Sequence, residues 1–339
     1  MSNLSIRYLQ EEEFNEWNSF VEKEKDGKIF HHSEWLSTIF RFQNKKIETK
    51  VIACYDKNNN IIGGIAFGSK EKMGIKLTVP PILTSFSGIL ISHRDTKYIS
   101  KDEKYRENIL RSIINLLEED HRVINLSLPS EITDIRVFNE KKYETTVKYT
   151  YITELSDFNN TINNFDPSIK RQIKKAEKQE IIVLNDDSEI FINDFYHLLE
   201  LSMQRQNHEF KLTRNQFATF INYIKQKKVG QISFFIAYLS KKPIAGQAVL
   251  YYKDTAYYWL AGGNPEYFNT GVNQLIMKKV FEFLFAKNIK YFDFVGANTP
   301  GISDYKANFN FNLIPYYQER KNIGIYAMLL MKLKKLLNK

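Results

Sequence analysis

Arg171, Lys174, Lys175 and Lys178 recur at i, i+3, i+4 and i+7, the spacing that puts four cations on one face of a helix. Such a face can clamp a pyrophosphate or follow an RNA backbone, each neutralised phosphate adding affinity; a solvated helix surface is the plainer alternative. Further on, Gly262-Gly263-Asn264 and Gly271-Val272-Asn273 frame a loop that leads into a helix. Unpaired N–H groups at a helix start attract phosphate, although an ordinary helix start needs no more than this. Asp293, Gly296, Asn298, Asp304, Tyr305 and Lys306 then gather polar groups just past a predicted strand end, where ligand sites commonly lie. Lys306 is the expected electrostatic group of that cluster. Asp304 fits either a proton acceptor or a helix cap. Along one strand Tyr257 and Trp259 alternate with Tyr258, so some of the three belong to the core and the others are candidates for a substrate groove.

Other chemistries find no support. The six histidines lack metal-ligand spacing, and adjacent His31 and His32 cannot both face one ion from a helix. There is no Gly-x-Ser-x-Gly elbow and no Gly-x-x-x-x-Gly-Lys-Ser/Thr loop. The single cysteine, Cys54, lies in the apolar run Val51-Ile52-Ala53-Cys54 and suits a buried strand in a reducing compartment.

The elements that must position these residues come in two similar sets. Ile132-Thr133-Asp134-Ile135-Arg136 recurs in type as Ile302-Ser303-Asp304-Tyr305-Lys306, each followed by Phe-Asn (Phe138-Asn139 and Phe309-Asn310). Ile62-Gly63-Gly64-Ile65-Ala66 parallels Ile244-Ala245-Gly246-Gln247-Ala248. The first set reads as a strand (5–9), two helices (11–22, 35–42), three strands (51–55, 61–67, 75–80), a helix (104–117), a strand (123–128), a short helix near Asp134 and a strand pair ending near Glu154. The second repeats it: strand 181–184, helices 190–203 and 215–226, a meander over 231–239, 244–252 and 256–262, helix 272–285, strand 290–295, a short helix near Asp304 and strand 313–318. Apolar Val272, Leu275, Ile276, Val280, Phe283 and Leu284 give helix 272–285 one buried stripe.

At 339 residues the chain has room for two domains, and 43% hydrophobic with 14% aromatic residues can fill their cores. Forty-eight basic against 39 acidic residues give +9, which favours phosphorylated partners without identifying one. No stretch suggests a signal peptide or a membrane span, so a cytosolic protein is expected. The last residues, 323–339, predict an amphipathic helix with a stripe of Tyr326, Leu329, Leu330, Leu333, Leu336 and Leu337 among Lys332, Lys334, Lys335 and Lys339. It suits docking on the second domain or lying on a membrane surface.

This order of elements resembles two tandem GNAT domains, an α/β class with mixed sheets. The motifs resemble the Fem family of aminoacyl-tRNA-dependent transferases and related FemAB-like acyltransferases. The stretches concerned are His31-His32-Ser33-Glu34-Trp35, Arg171 to Lys178, and Phe292-Asp293-Phe294-Val295-Gly296 running to Gly301-Ile302-Ser303-Asp304-Tyr305-Lys306. The inserted helical arm of larger Fem ligases is missing, and the usual ending appears here as Tyr305-Lys306…Phe309-Asn310 without its glycine. The resemblance implies domains at 1–156, a degenerate scaffold or acceptor side, and 157–339, the donor and catalytic side with a basic helix at 166–180. It implies transfer of an activated acyl group to an amine of a cell-envelope precursor, in the cytoplasm or at the inner face of the membrane. The co-substrate would be aminoacyl-tRNA or acyl-CoA, with no tightly bound cofactor or metal. CoA-binding relatives resemble Gln/Arg-x-x-Gly-x-Gly/Ala at the loop near Gly271, where this chain has one glycine and no basic residue. Lys306, Asp304 and Tyr305 are the catalytic candidates; Arg171, Lys174, Lys175, Tyr257, Trp259, Gly262, Gly263, Gly271, Asp293 and Asn298 are those for binding. Backbone N–H groups of a bulged strand near Ala261–Gly263 are expected to face the oxyanion. An acyl-CoA-dependent N-acyltransferase on an amino sugar or other small amine, and a non-catalytic module for a nucleotide sugar or peptide, stay open.

Overall fold

A computed structural model of the chain describes residues 4–43 and 46–324. The helix expected over 323–339 lies, beyond Gly324, outside the described residues. The chain divides into two compact units, Met1–Lys148 with Pro315–Lys339, and Tyr149–Ile314.

The first unit opens with β1 (Ser5–Tyr8), α1 (Phe14–Lys23) and α2 (Ser33–Gln43). Four strands follow, β2 (Glu48–Tyr55), β3 (Ile61–Lys72), β4 (Ile75–Val79) and β5 (Gly88–Ile91), then α3 (Ile99–Asp120), β6 (Val123–Ser127) and α4 (Arg136–Glu140). β7 (Glu144–Glu154) leads into the second unit with α5 (Phe158–Asn163), α6 (Pro167–Glu177), β8 (Ile182–Asp186), α7 (Glu189–Arg205) and α8 (Arg214–Lys227). Then come β9 (Gln231–Leu239), β10 (Lys242–Tyr252), β11 (Thr255–Gly263), α9 (Val272–Ala286), β12 (Tyr291–Asp293) and α10 (Pro300–Ala307). β13 (Asn312–Asn322) ends the described chain in the first unit.

The duplication is visible in strand pairing. In the first unit β1, β2, β3 and β4 run antiparallel, β4 pairs β6 in parallel, and β13 closes against β6 with Gln318 opposite Ser127 and Asn322 opposite Val123. In the second, β8, β9, β10 and β11 run antiparallel, β11 pairs β12 in parallel, and residues 152–154 of β7 close against β12. Each unit thus has one parallel pair beside an antiparallel meander. Apolar helix stripes cover the sheets. Ile109, Leu110, Ile113, Ile114 and Leu117 of α3 are buried against the first, and Leu275, Ile276, Val280, Phe281 and Leu284 of α9 against the second. Cys54 is buried in β2, where desolvation pushes its thiol up to about 11.

Some expectations shift. β5 was not anticipated, because its four buried residues are too short to display a period. The first unit's expected final strand pair is one strand, β7, and the added helical segment before the second unit's sheet is two helices, α5 and α6. α6 has a good start in Asp166, whose carboxylate accepts from the Ser168 N–H at 2.7 Å, and in Pro167 at the first turn.

Glu319 on β13 is fully buried, with only Oε2 engaged, by the Thr145 hydroxyl at 2.8 Å. Glu118 stands nearby but is paired with Lys141 and Lys321, and the buried Tyr143 hydroxyl lies near both carboxylates. Desolvation lifts the Glu319 carboxyl from 4.5 to about 7. The folded first unit therefore holds a proton that the unfolded chain releases, and this stabilisation is present below pH 4.5 and lost as pH rises to about 7. Glu319→Gln keeps the acceptor without the charge. It is expected to flatten the fall in melting temperature between pH 5 and 7.5 and to add roughly 1–3 kcal/mol at the upper end. Parallel wild-type and variant curves would contradict this.

Candidate active site

In the second unit β11 and β12 run side by side only from Thr255 opposite Tyr291 to Tyr257 opposite Asp293. β11 then continues to Gly263 while the other chain turns away, leaving a wedge beyond Tyr257. Opposite β10 the register slips, with Ala248 facing Leu260 and Val249 facing Tyr258, so Trp259 is an extra residue in β11. The bulge thus falls earlier than Ala261–Gly263. The Gly263 N–H donates to Ser202 Oγ at 2.9 Å and is not open to an oxyanion.

The bulge also sorts the aromatic residues. Tyr257 is 2% and Trp259 7% exposed, and Trp259 packs against Phe217 and Phe220 of α8. Both are core residues, a correction to their expected place in a substrate groove. Tyr258, which the alternation did not single out, stands by the wedge with its ring 5.4 Å from that of Phe294. Tyr305 packs on Phe309, and its hydroxyl reaches the Asn273 carbonyl at 3.4 Å. Burial pushes both tyrosine hydroxyls well above their usual range.

Lys306 is the centre of this group and is 3% exposed. Its ammonium donates to the carbonyls of Phe294, Val295 and Gly296 at 2.7, 2.9 and 2.6 Å, and lies 5.2 Å from the centre of the Tyr258 ring. Three such bonds require all three protons. Burial pulls the ammonium down to about 8 while Asp293 pulls it up, so it stays charged at neutral pH. In this arrangement Lys306 is a clamp with no N–H to spare, not the open electrostatic group expected from sequence. What it clamps is strained: Val295 has φ +52°, a left-handed conformation that β-branched residues avoid, and Gly296 follows at +71°. Asp293 braces the same turn, its Oδ1 accepting from the Thr150 hydroxyl at 2.5 Å and the Val295 N–H at 2.7 Å. Asn298 completes the brace by bonding the N–H and the carbonyl of Tyr149 at 2.8 and 3.1 Å. Sequence placed Asp293, Asn298 and Lys306 together; the turn at Val295 gave no signal, since nothing about valine announces a positive φ. Asp304 on α10 is exposed, and its carboxylate has no partner among the described residues.

The glycines admit chain, not ligand. A Cβ on Gly262 would lie 2.5 Å from the Leu199 nitrogen of α7, and one on Gly271 would lie 2.1 Å from the Gln172 carbonyl oxygen of α6. On α6 itself Ile169, Ile173 and Ala176 are buried while Arg171, Lys174, Lys175 and Lys178 are exposed. Lys175 donates to the Asn269 carbonyl at 2.6 Å, tying the helix to the loop before α9. The side chains of Arg171, Lys174 and Lys178 make no hydrogen bond or close ion pair among the described residues.

Residues 163–307 match a family profile described as "Acetyltransferase (GNAT) domain". A comparison with curated protein sequences gave no match. Among solved structures, FemX superposes with a TM-score of 0.67 at 11% identity over 92% of this chain and 96% of its own. L-PGS from Bacillus licheniformis gives 0.56 at 10%, over 96% of each chain. A tandem GNAT protein from the clavulanic acid biosynthesis pathway gives 0.53 at 9%, over 95% of this chain and 99% of its own. Residues 163–307, all within the second unit, thus carry a GNAT domain. The chain as a whole shares the fold of FemX and of the tandem GNAT protein.

Proposed function

We propose that the protein transfers an aminoacyl group from aminoacyl-tRNA to an amine of a cell-envelope precursor, with the donor held by the second unit. The amine attacks the ester carbonyl, an amide bond forms, the ester C–O bond breaks, and the RNA hydroxyl leaves with a proton. Exposed, unpartnered Asp304 is the candidate to receive the amine's proton. Lys306 acts as a positioning residue, holding the Phe294–Gly296 turn and Tyr258 at the wedge where the acyl group reacts. The first unit serves as scaffold or acceptor side.

The observation that carries the choice of donor is the packing at Gly271. The one glycine of the loop where CoA-binding relatives cradle pyrophosphate is taken up by the backbone of α6, while the exposed cations of that helix offer a phosphate-tracking face instead. The shared fold of FemX and L-PGS supports the envelope assignment. A second reading, acyl-CoA-dependent N-acylation of an amino sugar or small amine, draws on the GNAT profile match. No described helix is long and apolar enough to cross a membrane. The leucine- and lysine-rich sequence of 325–339 is proposed to reach an anionic membrane surface, which suits a lipid-linked acceptor.

Replacing Arg171, Lys174 and Lys175 together with Gln is expected to weaken binding of charged tRNA at least tenfold with little change in stability, since exposed charges contribute only about 0.5 kcal/mol each. Salt titration checks it: the slope of log affinity against log salt should fall by roughly two to three. Unchanged binding at low salt would remove the basic face from the mechanism.

A further inference from the structure

Acyl transfer at the wedge calls for a hydrogen-bond donor to the oxygen of the acyl carbonyl, because the attacking amine drives the carbonyl electron pair onto that atom. Several donors nearby are already engaged. The Gly263 N–H is held by Ser202 Oγ, the Phe294 N–H by the Tyr151 carbonyl at 2.9 Å, the Val295 N–H by Asp293 and the Ala297 N–H by the Tyr149 carbonyl at 2.6 Å. Lys306 directs its ammonium protons to the turn. The Tyr258 hydroxyl, by contrast, makes no hydrogen bond among the described residues.

Its place in the fold suits the task. Tyr257, opposite Asp293, is the last residue of β11 that pairs with β12, so Tyr258 is the first residue of the strand at the opening of the wedge. The ring is partly buried, 5.4 Å from that of Phe294 and 5.2 Å from the Lys306 ammonium. Those contacts hold the ring and leave its oxygen as the one polar atom still to be met. A cation against an aromatic ring draws electron density toward itself, which makes the phenol O–H a stronger donor. Burial keeps that hydroxyl protonated, and a neutral donor gains strength as charge builds on its acceptor.

We infer that Tyr258 is a catalytic residue whose hydroxyl donates to the acyl carbonyl oxygen as the amine adds. This role rests on the transferase reading above. As the C–N bond forms, the carbonyl electron pair moves to oxygen and is held there by the phenol. The pair returns as the ester C–O bond breaks and the RNA hydroxyl leaves with a proton. The phenol keeps its own proton throughout, and Lys306 contributes by holding the ring in place.

Tyr258→Phe tests this, since it keeps the ring with both of its contacts and removes only the oxygen. The assay is single-turnover transfer from charged tRNA, and in parallel from acyl-CoA, to amine-bearing envelope precursors. The rate constant is expected to fall about 100- to 1000-fold, with affinity for charged tRNA within about threefold of wild type. The melting temperature should hold, because no hydrogen bond is lost. Tyr258→4-aminophenylalanine restores an N–H donor at the same ring carbon and should recover part of the rate. Tyr258→4-methylphenylalanine fills the space without a donor and should recover none. A near-normal rate for Tyr258→Phe, a loss confined to tRNA affinity, or equal recovery by the amino and methyl variants would overturn the role of Tyr258 and leave the transferase reading in place. No transfer by the wild-type chain from either donor would overturn that reading, and the role of Tyr258 with it.

Discussion

Lys306→Met is expected to lower turnover by about a hundredfold or more while the chain still folds, the scale for losing one preorganised electrostatic element of a reacting site. Methionine keeps the unbranched reach of the side chain but removes the three N–H bonds to Phe294, Val295 and Gly296. Carbonyls left without donors cost about 1–3 kcal/mol each when buried, so the melting temperature should drop as well. A purely structural loss would leave the split between kcat and KM unchanged in kind. The positioning role predicts that kcat carries most of the loss, because the turn at Val295 relaxes from its strained φ of +52° while donor binding on α6 persists. The control lies in the first unit. Arg136 occupies the matching place in the duplication, but it is an exposed side chain bonded to Asp134 two residues away, at 2.9 and 2.6 Å. Exposed pairs of this kind contribute little, and Arg136→Ala should leave turnover close to wild type. Equal losses from the two substitutions would place the chemistry elsewhere.

Gly271→Ala is expected to destabilise the second unit by roughly 2–4 kcal/mol and to abolish high-affinity donor binding. Two effects combine at this residue. Its φ of +86° disfavours any side chain, and an added Cβ would sit 2.1 Å from the backbone oxygen of Gln172, which cannot move without shifting α6. Gly271→Asn separates them, since asparagine tolerates left-handed backbone but carries the same Cβ. Thermal unfolding of both variants checks the prediction: asparagine should rescue little, because the clash dominates. Full rescue by asparagine would mean that α6 does not press on this loop.

Much of this arrangement could be read from residue order. The stripe Leu275, Ile276, Val280 and Leu284 placed α9 to within a residue at its C-terminal end, and the paired motifs around Asp134 and Asp304 announced the duplicated sheets. Three features stayed hidden for identifiable reasons. Alternation set Tyr257 and Trp259 on one side of β11 and Tyr258 on the other, but it does not say which side α8 covers, and that side is the one Trp259 faces. A lysine ordinarily signals solvent, and nothing local to Lys306 reveals the three carbonyls that bury it, because they belong to a turn ten to twelve residues earlier. β13 pairs with β6 of the first unit, a partnership between distant segments that no local pattern encodes.

The most direct measurement is mass spectrometry of amine-bearing envelope precursors after incubation with the full chain and, in parallel, charged tRNA or acyl-CoA. The expected result is an acceptor heavier by one aminoacyl residue in the tRNA reaction, absent with Lys306→Met and retained with Arg136→Ala. An acylated product formed only from acyl-CoA, or an aminoacyl product that survives Lys306→Met and disappears with Arg136→Ala, would contradict transfer from aminoacyl-tRNA at the second unit.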